Sequence, residues 1–494
     1  MEKKKRSPGI LLAAPASGSG KTAAACALMA ALREQGLDVR ACKCGPDYID
    51  PMFHREVLGV DSKNLDLFFS EPEELIRGYI RHTEGADIAV TEGVMGYYDG
   101  MALDSDRASA YDVAHTLGLP VLLILPCRGA SLSLAAVVKG MAEFRKDSRI
   151  CGILLNRVSG MLYPRLKEML ESELQSIGLD IPVIGYLPDD PCFRMESRHL
   201  GLVTPQELDG LKAQMRRAGE LLSRTVDLDL VRQIAEKASC LTERNVNTAY
   251  RDRSDCADGS SGGQQRGTIS AEKAPAEGAE KKIRIGIARD EAFCFYYKDN
   301  LTLLEDLGCT LIPFSPLRDS ALPEGLDGLL LGGGYPELHG EELAENTGML
   351  SSVRAALEAG MPCLAECGGF MYLHEEMEDR NGKTWPLVGA VRGRTYPTGK
   401  LVRFGYVKIE NSAGREGYLL PGESVRGHEF HYWDSTDSGS DCLAVKPDGR
   451  RKWNCIHMEG SLFAGYPHLY LPSMSTFAER FVRRCREWKE RSIR

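Results

Sequence analysis

The chain is predicted to be an α/β protein with two domains in succession: an N-terminal P-loop doubly wound parallel-sheet domain, then a second α/β domain. Three observations predict this. Short apolar strands alternate with amphipathic helical stretches, the pattern of a parallel sheet covered on both faces. One turn, PASGSGKT at Pro15 to Thr22, follows an apolar strand and opens an alanine-rich helix. A low-complexity segment, RDRSDCADGSSGGQQRGTISAEKAPAEGAEKK, divides the chain. Rich in Gly, Ser, Ala and charge, it has too little apolar surface to order itself. The expected organisation is residues 1–235 for the first domain, 236–281 for a polar helix end and flexible linker, and 282–494 for the second domain.

Composition fits this class. The 494 residues are 43% hydrophobic and 27% charged, with a net charge of -9, which argues against a nucleic-acid partner. The opening MEKKKR and GILLAAP imitate a signal peptide, but the apolar run is short and leads straight into the glycine-rich turn, so it reads as the first core strand. No stretch approaches the roughly 20 apolar residues of a membrane span. A soluble cytoplasmic enzyme without a membrane partner is expected. The 15 cysteines are scattered, with no CxxC pair, which points to reduced, packed side chains rather than disulfides or structural zinc.

The strand Gly9–Ala14 and the helix Thr22–Arg33 frame the phosphate loop. Ser17, Gly18, Ser19 and Gly20 are small enough for backbone N–H groups to turn inward around phosphate oxygens, and the helix N-terminus adds its positive end. Lys21 is placed to reach the outer phosphates and Thr22 to ligate Mg2+. Pro15 stands where the usual motif has Gly, which marks a deviant branch of such loops. Gly36 suits the C-terminal cap.

A second strand, Asp38–Cys44, delivers GPDYIDP at a strand end, where ligands gather in doubly wound sheets. Asp47 and Asp50 there are carboxylates that could hold magnesium or orient a substrate, with turn chemistry as their plain alternative, and Asp47 is taken as the metal-ligand candidate. The strand Asp87–Thr91 ends at Glu92, the second candidate for Mg2+; its plain alternative is a solvated strand-end acid. Further strands follow at Val121–Pro126, Cys151–Val158 and Pro182–Pro188. Asn156, at the end of one, is a candidate reader of an adenine edge or an ordinary loop residue.

The second domain begins with IRIGIARD at Ile283. Its strand Leu326–Leu331 runs into Gly332, Gly333 and Gly334, whose exposed backbone N–H groups suit an oxyanion. Pro362–Ala365 breaks at Glu366, Cys367, Gly368 and Gly369 before a helix. A residue on such a turn is pushed out of the sheet, and the helix N-terminus favours a thiolate, so Cys367 is the candidate nucleophile. Cys363 reads as structural. His468 in GYPHLYLPS is a candidate base, with His428 and His431 in RGHEFHYW competing.

PASGSGKT, GPDYIDP, TEGVMGYYDG, ESRHLGL, AFCFYYKDNL, LGGGYPEL, AECGGFMYL, RGHEFHY and GYPHLYLPS occur in this order over nearly all of the chain outside the linker. In this the chain resembles the cobyrinate a,c-diamide synthase family. The resemblance implies a dethiobiotin-synthetase-like, ATP-dependent amide ligase domain joined to a class I type glutaminase domain, with ATP and L-glutamine as co-substrates and Mg2+ as cofactor. It implies Cys367 as nucleophile, His468 as base, and Gly333, Gly334 and Gly368 about the oxyanion. Tyr470 occupies the position two residues after the histidine where the usual glutaminase has Glu, so that position offers no third member. It implies a small corrinoid substrate, cobyrinate, amidated on its a and c side chains, with hydrogenobyrinate or nickel sirohydrochlorin as alternatives. Lys43, Tyr48, Arg198 and His199 are candidates to bind it. A monomer or homodimer is expected. A deviant P-loop ATPase switch is the reading from a different class; it leaves Cys367 without a purpose.

Overall fold

Seven parallel strands make the sheet of the first domain in a computed structural model that describes residues 8–195, 205–238 and 282–492. They are β1 (Gly9–Ala13), β2 (Val39–Cys44), β3 (Ser62–Leu65), β4 (Ile88–Glu92), β5 (Val121–Pro126), β6 (Ile150–Asn156) and β7 (Val183–Leu187). Their order is β3-β2-β4-β1-β5-β6-β7. β1 is apolar on both faces, so alternate residues feed two separate cores. Ile10 and Leu12 join one, Leu11 and Ala13 the other. This is why the strand reads as a continuous hydrophobic run.

The order puts β1 between β4 and β5, with Leu12 opposite Glu92, while β2 places Lys43 opposite Glu92 on the other side of β4. The carboxyl ends of β1, β2 and β4 therefore form one rim, at the point where the chain switches direction across the sheet. Helix α1 (Lys21–Glu34) starts there, one residue wider at each end than predicted. Its alanines let it lie flush on the sheet, and it ends as expected, with Gly36 at φ 81 and Leu37 N–H donating to Leu32 O at 3.3 Å.

The second domain has a six-stranded sheet. Its parallel members are β8 (Ile283–Ala288), β9 (Cys309–Phe314), β10 (Gly328–Leu331), β11 (Cys363–Glu366) and the strand Leu462–Gly465, with His457–Glu459 antiparallel at one edge. Beyond this predicted α/β part lies a five-stranded antiparallel sheet that includes Arg403–Asn411, Ser424–His431 and His468–Leu469. In RFGYVKIEN only alternate residues near the end are buried, which suits a sheet with one solvated face.

The two domains meet along the GPDYIDP loop and residues 66–70. Asp66 turns back on its own chain, accepting from the N–H groups of Phe68 and Phe69, and receives the Tyr406 hydroxyl at 2.7 Å. Lys63 pairs with Asp299 at 2.8 Å, Arg81 with Asp306 at 2.8 Å, and Arg426 with Glu71 at 2.6 Å. Phe68, Phe69, Tyr297 and Tyr470 form a buried cluster between them. Apolar rings inside a charged rim make a joint that excludes water at its centre. Among the described residues no helix is long and apolar enough to cross a membrane. None of the cysteines among them is bridged, and most are buried.

Candidate active site

Two sites face each other across this joint. The first is the phosphate loop. Gly18 and Gly20 take φ 76 and 93, the left-handed region, so successive N–H groups turn the same way. Ala16, Ser17 and Gly18 are exposed, and Ser19 and Lys21 are buried beneath them. Lys21 donates to Ala16 O at 3.0 Å and to Met95 O. Burial, and then the charge of Lys43, push its ammonium down to about 8. An ammonium with so little countercharge is a ready partner for phosphate.

Thr22 Oγ1 donates to Glu92 Oε1 at 2.5 Å. Glu92 is 1% exposed, and its Oε2 has no hydrogen-bond partner. A hydroxyl and an incompletely satisfied carboxylate at the loop's root are hard oxygen donors, which fit a magnesium ion completed by nucleotide phosphates. Among the described residues no group of three His, Cys, Asp or Glu side chains could hold a metal by itself. Asp47, the other predicted ligand, caps its own turn, its Oδ1 accepting from Ile49 N at 2.8 Å and Asp50 N at 3.3 Å. Burial, and then Asp50, raise its carboxyl to about 6.

Lys43 corrects its predicted role on a basic substrate surface. It is 4% exposed and paired with Asp50 at 2.6 Å and Glu92 at 2.7 Å. Burial opposes its charge, but Asp50, Glu92 and Asp47 outweigh that and raise it. Lys43 thus holds the acidic cluster together. His54, fully buried, adds an Nε2 at 3.6 Å from Glu92 Oε2. Asp50, singled out beside Asp47 in the sequence, is placed against Lys43; His54 did not stand out there, since a lone histidine is ordinary. Asn156 has its amide nitrogen committed to Ser19 O at 2.8 Å, bracing the loop from below. The predicted Arg198 and His199 lie outside the described residues.

The second site is built on the turn after β11. Cys367 has φ 48 and ψ -104, a conformation that costs a non-glycine residue about 1–3 kcal/mol and is held by its surroundings. Those surroundings are Cys367 N donating to Gly465 O at 2.8 Å and Gly369 N donating to Gly332 O at 2.9 Å. Gly333 lies between the two reactive side chains. A methyl there would collide with the His468 ring and sit 3.4 Å from Cys367 Cβ. A methyl on Gly368 would lie 3.0 Å from Gly334 N. The three predicted oxyanion glycines therefore converge beside the thiol.

His468 is the histidine at this point. Burial alone would lower it, but Cys367 and Glu366 hold its imidazolium up to about 10. Its Nδ1 is 3.8 Å from Glu366 Oε2, and Glu366 Oε1 is fixed by Leu469 N at 3.1 Å. Burial lowers His428 to about 3 and His431 to about 4, which leaves the two competitors neutral. Glu366 was missed in the sequence. It directly precedes Cys367, and nothing in that adjacency announces that it would face a histidine 102 residues further on.

Tyr48, predicted to bind substrate, reaches across the joint. Its ring stacks on Phe295 and Tyr297 at 5.2 and 4.4 Å and lies 5.1 Å from the His468 ring. Tyr470 donates its hydroxyl to Asp299 at 2.8 Å and receives that of Ser70 at 3.3 Å. It binds the domains together and leaves the histidine to Glu366.

Fold and site define a two-domain glutamine amidotransferase with a nucleotide-binding domain. Residues 284–475 match the family described as CobB/CobQ-like glutamine amidotransferase domain, and residues 10–203 the CobQ/CobB/MinD/ParA nucleotide binding domain. Over 93% of this chain and 96% of its own length, the cobyrinate a,c-diamide synthase of Listeria innocua is 36% identical. That of Caldanaerobacter subterraneus is 34% identical over 96% and 98%. The chain belongs to the cobyrinate a,c-diamide synthase family.

Proposed function

We propose that the protein amidates the a and c side-chain carboxylates of cobyrinate, using ATP to activate each carboxylate and glutamine to supply ammonia. A carboxylate is a poor electrophile at neutral pH. Its oxygen attacks the γ-phosphorus of ATP, ADP leaves, and an acyl phosphate remains. Ammonia then attacks the acyl carbon, phosphate departs, and a proton is lost. In this reading Ser17, Gly18, Ser19, Gly20 and Lys21 bind the phosphates, and Thr22, Glu92 and Asp47 serve the magnesium ion. When bound, Mg2+ would neutralise charge on the transferred phosphoryl group. Asn156 keeps the loop in place and offers its remaining oxygen toward the adenine. Arg198 and His199 belong to the corrin site.

In the second domain the Cys367 thiolate attacks the glutamine side-chain carbonyl. The oxyanion rests among Gly333, Gly334 and Gly368, His468 gives its proton to the departing ammonia, and water then releases glutamate from the thioester. Neutral ammonia becomes mostly ammonium in water, so a dry route between the sites keeps it reactive. The single observation that carries the reading is the placement of Tyr48, whose loop borders the acidic cluster and whose ring touches His468. A biosynthetic enzyme of this kind works in the cytoplasm. The experiment is to supply cobyrinate, hydrogenobyrinate and nickel sirohydrochlorin separately and measure ADP and amide together. ATP turnover that requires cobyrinate supports the reading; equal turnover without any tetrapyrrole would point to an ATPase switch instead.

A further inference from the structure

His468 stands on a strand of two residues, His468–Leu469, at the edge of the antiparallel sheet, where it pairs only with His428 and Gly427. A strand that short has little ladder to fix it. Two side chains complete what the ladder leaves open. Glu366 Oε1 accepts from Leu469 N at 3.1 Å, while Asn300 Nδ2 donates to Leu469 O at 2.7 Å and Asn300 Oδ1 accepts from Leu471 N at 2.8 Å. Asn300 is 7% exposed, so both ends of its amide are spent on the backbone that carries the histidine.

The helix that holds Asn300, Lys298–Asp306, starts at the domain joint. Tyr297 donates to Pro46 O at 3.3 Å, Lys298 pairs with Asp61, and Asp299 pairs with Lys63 at 2.8 Å while accepting the Tyr470 hydroxyl at 2.8 Å. Three consecutive residues grip the first domain, and the fourth turns to the histidine strand. Lys63 lies on β3, whose ladder with β2 runs to Cys44, the residue before the GPDYIDP loop.

We propose that Asn300 is a positioning residue for glutamine hydrolysis: it holds the strand where His468 Nδ1 faces Glu366, and Lys63, through Asp299, makes that placement depend on the docked first domain. Asn300 acts through the strand and touches no reacting atom. The proposal rests on the reading of His468 as the proton carrier of the glutaminase site. The 3.8 Å between His468 Nδ1 and Glu366 Oε2 is what such a clip controls, because attraction between charges weakens as they separate.

The test follows glutamate release from L-glutamine by the full chain across pH. Asn300→Ala should lower kcat about tenfold, a usual size for a misplaced proton carrier, with the KM for glutamine changed far less. The fall of kcat at high pH should begin at lower pH than in the parent, because His468 loses the nearness of Glu366, one of the two groups that hold its imidazolium up. The titratable groups around the ring are Cys367 and Glu366 on the elbow, His428, Glu429 and His431 on the neighbouring strand, and Tyr48 from the first domain. None of them changes in these variants. Lys63→Ala should move the alkaline limb the same way by a smaller amount, and Lys63→Arg should restore it. The direction is diagnostic, since by charge alone the loss of an ammonium would carry the limb to higher pH. A melting temperature near that of the parent shows that Asn300→Ala folds; if it does not fold, the Lys63 variants decide by themselves. Folded variants that keep the parent's kcat and alkaline limb, or a Lys63→Ala limb that moves upward, would overturn the proposal while the glutaminase reading stands. A parent that releases no glutamate from glutamine would overturn both.

Discussion

Tyr48 of the first domain lies with its ring 5.1 Å from that of His468 in the second. One residue of the nucleotide domain thus forms part of the wall of the glutaminase site. Tyr297 supports it from below, stacked at 4.4 Å, with its hydroxyl donating to Pro46 O at 3.3 Å. The contact is aromatic and largely dry, and it joins the GPDYIDP loop to the wall of the second site.

Tyr48→Ala should remove that contact. Glutamine hydrolysis should persist, but glutamate formed should exceed amide formed by about twofold or more, since the opened joint admits water and loses ammonia. Measuring both products in one reaction checks this. Matched yields in the variant would mean that Tyr48 only fills space.

Glu366→Gln probes the carboxylate opposite His468. In the proposed mechanism the imidazolium gives a proton to ammonia, and it stays charged up to about 10 because Cys367 and Glu366 oppose the effect of burial. Removing one negative charge lowers that value, so the fall in activity at high pH should begin at lower pH. The rate of glutamine hydrolysis near neutrality should drop about tenfold, a usual size for loss of an orienting partner. Superimposable alkaline limbs for parent and variant would remove Glu366 from this role.

Glu92→Gln and Thr22→Ala address the other site. Both partners of the 2.5 Å contact, the donating Thr22 hydroxyl and the accepting Glu92 carboxylate, stand at the root of the phosphate loop. Each substitution should slow ATP turnover by roughly a hundredfold, the scale of a lost electrostatic contact in a transfer reaction, and raise the magnesium concentration needed. Glutamine hydrolysis should stay close to that of the parent. A magnesium dependence identical to the parent's in both variants would place the metal elsewhere.

Much of this was legible in the sequence, and the reasons are local. The strands β1, β5 and β7 announce themselves as apolar runs, and PASGSGKT sits where strand and helix meet. The elbow at Cys367 was legible because a strand breaks at two glycines. β3 was not, because Ser62, Lys63, Asn64 and Leu65 carry no apolar run and owe their strand to pairing with β2. The antiparallel sheet was hidden for a similar reason, since its one-sided burial leaves weak alternation. Lys43 looked like a basic residue for an anionic substrate, and only the register of β2 against β4 shows that it neutralises Glu92. The domain joint was invisible, because Asp299, Tyr470 and Ser70 are brought together by docking and by no spacing along the chain.

The central claim is a division of labour: Cys367 makes ammonia, and the phosphate-loop domain uses it. The most direct measurement is amide formation by Cys367→Ser, from glutamine and from ammonium salts at alkaline pH, beside the parent. A serine hydroxyl lacks the polarisable thiolate and needs far stronger base assistance. Glutamine-dependent amidation should collapse, while free ammonia should restore ATP-dependent amidation to near the parent's rate, because Lys21, Thr22 and Glu92 are untouched. A folded Cys367→Ser protein that keeps glutamine-dependent activity, or that fails with ammonia as well, would contradict the account.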